Sequence, residues 1–422
     1  MNIRFINAKI ITMKDKTVTE GEVTVNGNKF TYVGPQRENT DEKFDRVIDC
    51  QGNILMPSFK NAHTHSAMTF CRSMSDNMKL ESWLFDKIFP AEAKLRPEHC
   101  YWYTQLAIAE YLANGITAGF DMYFFPQEVA KASVDAGFRM QFCSGANDFG
   151  GIDAIEENYN AINNMDSSLV GSVIGMHAEY TTNIENIKKV AGLVQKYKSP
   201  FYTHIAETEN EVSGCYERHG KSPVKLYDDL GMFEYGGAGF HSVYLNDEDI
   251  DIYCKHGVYA VINACSNLKL CSGIADVSKY IDRGVKLAVG TDGAGSNNAL
   301  DMFREVYLDT VLQNVVAKTP EKLNPFITLS AATVGSSKAM CLDNVDYIEV
   351  GSKADMIMLD ISDPCMQPVN SIIDNIVYSG NPRLVKLTMC DGKILYENGQ
   401  YSSLDINEVY RKCADYLDEI KP

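Results

Sequence analysis

Two of the chain's eight histidines stand as His63-Thr64-His65, three residues beyond an apolar run over residues 54–59. Imidazoles at i and i+2 of an extended segment leave the same face and can converge on one metal ion, whereas a helix would need i and i+4. The pair has company, because His177, His204, Glu207, His241 and Asp292 each lie at or near the end of a later apolar run. Three imidazoles and one carboxylate, with a remaining position for water, describe a catalytic divalent site suited to zinc or iron(II). The expected ligands are His63, His65, His204 and Asp292, with zinc as the first choice of metal. Glu207 lies three residues beyond His204, where a carboxylate could reach a substrate, and His241 could hydrogen-bond a water at the metal. Residues 172–178 contain no lysine that could be carbamylated to bridge two metals, so one ion is expected.

These residues need elements that bring them to one place. Eight strand-like segments occupy residues 54–62, 116–122, 139–146, 172–178, 200–207, 238–245, 259–267 and 285–293. Helical segments separate most of them, such as residues 97–114, with proline in the first turn and Asn114-Gly115 at the end. Eight βα units in this span match a (β/α)8 barrel, whose catalytic groups gather at the carboxyl ends of its strands. A doubly wound open sheet competes, but no G-x-G-x-x-G turn follows the first strand. Placed on the barrel, five of the eight histidines fall on one face.

The chain ends read differently. Residues 3–11, 21–25 and 29–33 are short β runs broken at Asn26-Gly27 and Gly34-Pro35, and the style resumes at 354–359, 385–390 and 393–396 around an Asp391-Gly392 hairpin turn. The expected organisation is an α/β chain: a distorted (β/α)8 barrel over residues 57–347, and a small β-sandwich from residues 1–56 with 348–422. A final helix over residues 406–420 carries Val409, Tyr410, Ala414 and Leu417 at helical spacing. The aromatic segment 101–111 fits either an outer barrel helix or an oligomer face, and a homo-oligomer is expected.

A net charge of −17 without a Lys/Arg stripe argues against nucleic-acid partners. No uncharged apolar run reaches the roughly 18 residues of a membrane span, so no membrane association and a cytoplasmic location are expected. The twelve cysteines show no C-x-x-C spacing and read as reduced, mostly buried thiols.

His63-Thr64-His65, His204-Ile205-Ala206-Glu207, His241, Ser266-Asn267-Leu268-Lys269-Leu270 and the string from Gly290-Thr291-Asp292-Gly293 to Asn298 together resemble the amidohydrolase superfamily, in its branch of mononuclear nucleobase and nucleoside deaminases. Glu81-Ser82-Trp83-Leu84-Phe85 and Phe89-Pro90-Ala91-Glu92 look like the 5-methylthioadenosine/S-adenosylhomocysteine deaminases. The resemblance implies hydrolytic deamination of an amino-heterocycle. Glu207 would protonate the ring nitrogen, His241 would orient the nucleophile, and Asp292 would pass a proton to departing ammonia. Trp83, Glu92 and His177 would contact substrate, Glu92 through ribose hydroxyls and His177 through the purine. The family's two arginines for an amino-acid tail have no counterpart around residues 144–152, which counts against S-adenosylhomocysteine among the adenine nucleosides and leaves adenosine, 5-deoxyadenosine and methylthioadenosine open. Deamination of guanine, 8-oxoguanine, pterin or cytosine, hydrolysis of a cyclic amide, and a non-enzymatic scaffold are the alternatives.

Overall fold

A computed structural model describes residues 1–74 and 76–420, apart from the Glu81 side chain, so that member of the Glu81–Phe85 string lies outside the described residues. The chain ends meet in one nine-stranded sheet. At its centre Ile54–Pro57 pairs in parallel with Asn2–Ile11 and antiparallel with Met356–Leu359. The Asp391-Gly392 turn forms as expected, with both residues at positive φ (49° and 75°), the geometry of a tight hairpin whose twist matches its strands.

The first expected strand, 54–62, is two strands in two sheets. Ile54–Pro57 stays with the end sheet, and Phe59–Thr64 opens a parallel sheet with Ile116–Asp121, Arg139–Phe142 and Val170–Ser172. Pro57 has no N–H to continue a ladder, which suits it to the last place before the switch. A second parallel sheet runs Ile174–Gly175, Phe201–Ile205, Gly237–His241, Tyr259–Ile262 and Lys286–Val289. The expected fourth strand is thus interrupted at Val173, one half pairing with each sheet. Ala62, Phe120, Tyr202, Phe240 and Val261 form a common buried cluster from both sheets, with the Phe120 and Tyr202 rings stacked at 4.4 Å. Beneath it, buried Arg139 donates to both Asp355 oxygens at 3.1 Å and ties the parallel strands to the end sheet.

Two further expectations are corrected. Residues 259–267 are a strand only through Ile262, after which Ala264–Lys269 is helical. A short apolar run does not fix its own periodicity, and here the helix turns Asn267 toward His241. The terminal helix Ile406–Ile420 forms, but it buries Val409, Cys413 and Ile420, leaving Tyr410 57% exposed. That face packs on the helix Pro97–Ala113, where the Tyr103 hydroxyl donates to the Cys413 carbonyl at 2.8 Å and the His99 and Tyr416 rings lie 4.9 Å apart. The aromatic helix is therefore covered in part by the chain's own C-terminal helix. No helix among the described residues is long and apolar enough to cross a membrane.

Candidate active site

The strand Phe59–Thr64 aims His63 and His65 at the carboxyl end of the sheet. Phe201–Ile205 brings His204 there, Gly237–His241 ends on His241, and Asp292 follows Lys286–Val289 by three residues. The five side chains meet: ligand atoms of His63, His204 and His241, and of His63, His65 and Asp292, lie within 4.8 Å of one another in each triplet. Asp292 Oδ1 is 3.4 Å from His63 Nε2 and 3.2 Å from His65 Nε2. Asp292 and His241 adopt positive φ (60° and 71°), a strain of about 1–3 kcal/mol each that clusters at functional sites.

Outer contacts orient the rings. His65 Nδ1 pairs with the Met122 carbonyl at 2.6 Å, His204 Nδ1 with the His177 carbonyl at 2.8 Å, and His241 Nδ1 with Asn267 Oδ1 at 2.7 Å. An Nδ1–H held by an oxygen leaves the Nε2 lone pair for a metal. His63 is fully buried with neither ring nitrogen in a hydrogen bond, an orphaned pair in an interior where such groups are rare. Burial pushes its imidazole down to about 3, keeping it neutral as ligation requires. Burial also opposes charge on Asp292, but the His63 and His65 imidazoles beside it hold its carboxyl well below the usual range. This donor set fits one divalent ion.

Glu207 is buried beside the cluster, its Oε1 accepting from the Ser272 hydroxyl at 3.0 Å and its Oε2 3.8 Å from His241 Nε2. Burial raises its carboxyl above the ordinary value, favouring the protonated form that can act as an acid. A cavity of about 390 Å³ adjoins the cluster, and Trp83, Glu92, His177, Glu207, His241 and Asp292 all line it. Burial raises the Glu92 carboxyl to about 7, against the lowering effect of the neighbouring Tyr123 hydroxyl. Trp83 is buried with its indole N–H unpartnered, a donor free for a ligand. His177 is held at Nδ1 by Thr181 Oγ1 at 2.8 Å, and burial keeps its ring neutral.

Several supporting residues had no role in the sequence reading. Asp292 Oδ2 accepts from Ser266 at 2.7 Å and Ser296 at 2.6 Å. Buried Glu211 accepts the backbone N–H groups of Ala206 and Glu207, both at 2.8 Å, and so clamps a turn whose Ala206 sits at φ 51°. The Thr208-x-x-Glu211 spacing is a helix-start signal that could have drawn attention to it; Thr208 caps Glu211 N at 3.1 Å. Glu211→Gln would place an amide N–H against a backbone N–H. We expect kcat to fall by about 10- to 100-fold through misplacement of Glu207, with metal content unchanged. Parallel kinetics and metal analysis check this, and a matching loss of metal would refute it.

Comparison with known proteins identifies the family of the chain. Residues 54–395 match the model of the amidohydrolase family. The chain is 37% identical over 409 residues to a 5-methylthioadenosine/S-adenosylhomocysteine deaminase of Caldicellulosiruptor saccharolyticus, covering 96% of this chain and 95% of the relative. It is 34% identical over 424 residues to a 5'-deoxyadenosine deaminase of Methanobrevibacter smithii, covering 98% and 97%. Among solved structures, an adenosine deaminase from Xanthomonas campestris with bound zinc superposes with a TM-score of 0.92 at 29% identity, covering 99% of this chain and 98% of that one. With a family match over most of its length and a site built from that match's residues, the chain belongs to the amidohydrolase family.

Proposed function

We propose that the protein is a metal-dependent hydrolytic deaminase of adenine nucleosides. The observation that carries this reading is the buried Glu207, which lines the cavity with its Oε2 3.8 Å from His241 Nε2 and whose burial favours the protonated form. Addition of water to an aromatic amidine is helped by protonation of the ring nitrogen beside the attacked carbon, a role that a protonated carboxyl lining the cavity can fill. The names of the full-length relatives point the same way.

His63, His65, His204 and Asp292 would hold the ion, with zinc favoured by the three-imidazole, one-carboxylate set. A divalent ion held there would supply Lewis-acid activation of a water, lowering its pKa toward neutrality. Glu207 gives its proton to the ring nitrogen beside the carbon that carries the amino group. His241, held by Asn267, orients the attacking water with Nε2. Asp292, its Oδ2 kept in place by Ser266 and Ser296, takes one proton from that water and delivers it to the nitrogen, which leaves as ammonia when the C–N bond breaks, and the second water proton, lost as the new C–O bond becomes a carbonyl, restores Glu207. His177 and Trp83 present hydrogen-bonding groups to the base, and Glu92 accepts from the ribose hydroxyls.

The same reading places these groups on a distorted (β/α)8 barrel of residues 57–347, with residues 1–56 and 348–422 as a β-sandwich. Supporting it, Asn61 and Thr291 exchange two hydrogen bonds, at 2.6 and 2.9 Å, and the Asp292 N–H donates to the His63 carbonyl at 3.0 Å, linking first and last parallel strands.

The test is ammonia release from adenosine, 5'-deoxyadenosine, 5-methylthioadenosine and S-adenosylhomocysteine beside the free bases adenine, guanine and cytosine. Glu92→Ala is expected to raise KM for nucleosides by about 10-fold or more, the range for losing a charge-assisted hydrogen bond, and to spare any free-base turnover. Turnover confined to free bases would overturn the nucleoside reading.

A further inference from the structure

Glu305 is fully buried in the first turn of the helix Met302–Val316, behind the residues that line the cavity. A glutamate is almost never fully buried unless paired, and the partners of Glu305 are uncharged donors. Its Oε2 accepts from the Cys265 backbone N–H at 3.1 Å, and its Oε1 from Asn297 Nδ2 at 2.8 Å. The helix N-terminus offsets part of the buried charge.

Cys265 and Asn297 stand beside the two serines that hold Asp292. Ser266 follows Cys265, Ser296 precedes Asn297, and both hydroxyls donate to Asp292 Oδ2, at 2.7 and 2.6 Å. Asn297 Nδ2 also donates to the Thr291 carbonyl at 2.7 Å, one residue before Asp292. Both segments need the outside support. The helix Ala264–Lys269 has no side-chain cap from its N-cap residue Asn263, and the Cys265 N–H is one of the orphan donors of its first turn. The other segment holds Asp292 at φ 60°, a conformation that persists only where the surroundings over-determine it. One carboxylate thus ties the two segments together next to their contacts with Asp292.

We propose that Glu305 is a positioning residue for the deamination: it fixes the spacing of Ser266 and Ser296, and with it the orientation of the Asp292 carboxyl, without reaching the cavity. The inference rests on the role given to Asp292 in the reading above. Asp292 Oδ1 lies 3.2 Å from His65 Nε2 and 3.4 Å from His63 Nε2, so a shift of Oδ2 between the serines turns the whole carboxyl against the imidazoles.

The test is a double-mutant cycle between Glu305→Gln and the pair Ser266→Ala/Ser296→Ala, read by kcat and KM for adenosine in the zinc-loaded enzyme and by calorimetric zinc affinity of the apoprotein. Glutamine has one acceptor oxygen, so one of the two N–H donors is left facing an amide N–H. Glu305→Gln is expected to lower kcat and zinc affinity by about 10-fold each, the lower end for a partner behind a metal ligand. KM should stay within about 2-fold of wild type, because no group that meets the substrate is lost. In the Ser266→Ala/Ser296→Ala background the same change should cost less than about 2-fold in either quantity, since the path through the two hydroxyls is already cut. Wild-type kcat and zinc affinity in Glu305→Gln, or an equal loss in both backgrounds, would overturn the proposal. If Glu305→Gln does not fold, Asn297→Ala removes one arm of the clamp and should reproduce the fall in kcat at unchanged KM; wild-type kcat there would overturn the proposal equally. Silence of the wild type on adenosine and the other nucleosides would overturn the nucleoside reading, while the zinc arm of the cycle still decides for or against the clamp.

Discussion

Glu207→Gln is expected to lower kcat by about 10²- to 10⁴-fold while metal content stays at the wild-type level. Glutamine keeps the shape of the side chain and an oxygen for the Ser272 hydroxyl, which Glu207 Oε1 accepts at 3.0 Å. It cannot supply a proton, and Glu207 is outside both triplets of converging ligand atoms. The pH profile separates this from a packing defect. The working form of Glu207 is protonated, so turnover declines as pH rises through its pKa, and burial, which raises that pKa, extends activity upward in pH. In the glutamine variant this alkaline limb should vanish from the residual rate. Ammonia release across pH, with metal analysis of the same samples, measures both effects; wild-type turnover in the variant would remove Glu207 from the chemistry.

The residues that do chemistry were more legible in the sequence than the elements that hold them. His63 and His65 could be paired because strand alternation alone puts them on one face, and the structure brings their Nε2 atoms to one Asp292 oxygen. His204, His241 and Asp292 followed from the rule that functional groups sit at strand ends, which needs only the approximate end of each apolar run. Element boundaries depend on pairing that a run does not encode. Nothing within residues 54–62 says that the ladder changes sheets at Pro57, since both halves are apolar and extended. The 259–267 run turns helical at Ala264, and that turn brings Asn267 to His241, a partner 26 residues away that the run itself does not encode. On the terminal helix, the 409, 413, 416, 420 stripe and the expected 409, 410, 414, 417 stripe are both helical, and only the neighbouring helix decides between them. Ser272 could not be read at all, because its role arises from a contact with Glu207 across 65 residues of sequence.

Asp292→Asn is expected to have a larger effect than Glu207→Gln, because it strikes the metal and the proton path together. Losing a partner behind a ligand weakens metal binding by about 10- to 100-fold, so losing a ligand carboxylate should exceed 100-fold. Turnover should fall by at least about 10⁴-fold, the upper end for a single proton-transfer group. The variant also carries a thermodynamic signature. Burial alone would lower the His65 imidazole, but the Asp292 carboxylate reverses this and pushes it up to about 9. Without metal, His65 therefore holds a proton at pH 7, and an ion can bind only when that proton leaves. Loading the wild-type apoprotein should release the His65 proton, and affinity should weaken as pH falls and that proton is held more firmly. In Asp292→Asn the largest charge that keeps His65 protonated is gone, so proton release should fall below the wild-type value by up to about one per ion. Calorimetric titration of zinc into apoprotein, in two buffers of different ionisation enthalpy, counts these protons directly. A variant that binds zinc with wild-type affinity and proton release would show that Asp292 is neither the ligand nor the group that sets the His65 charge.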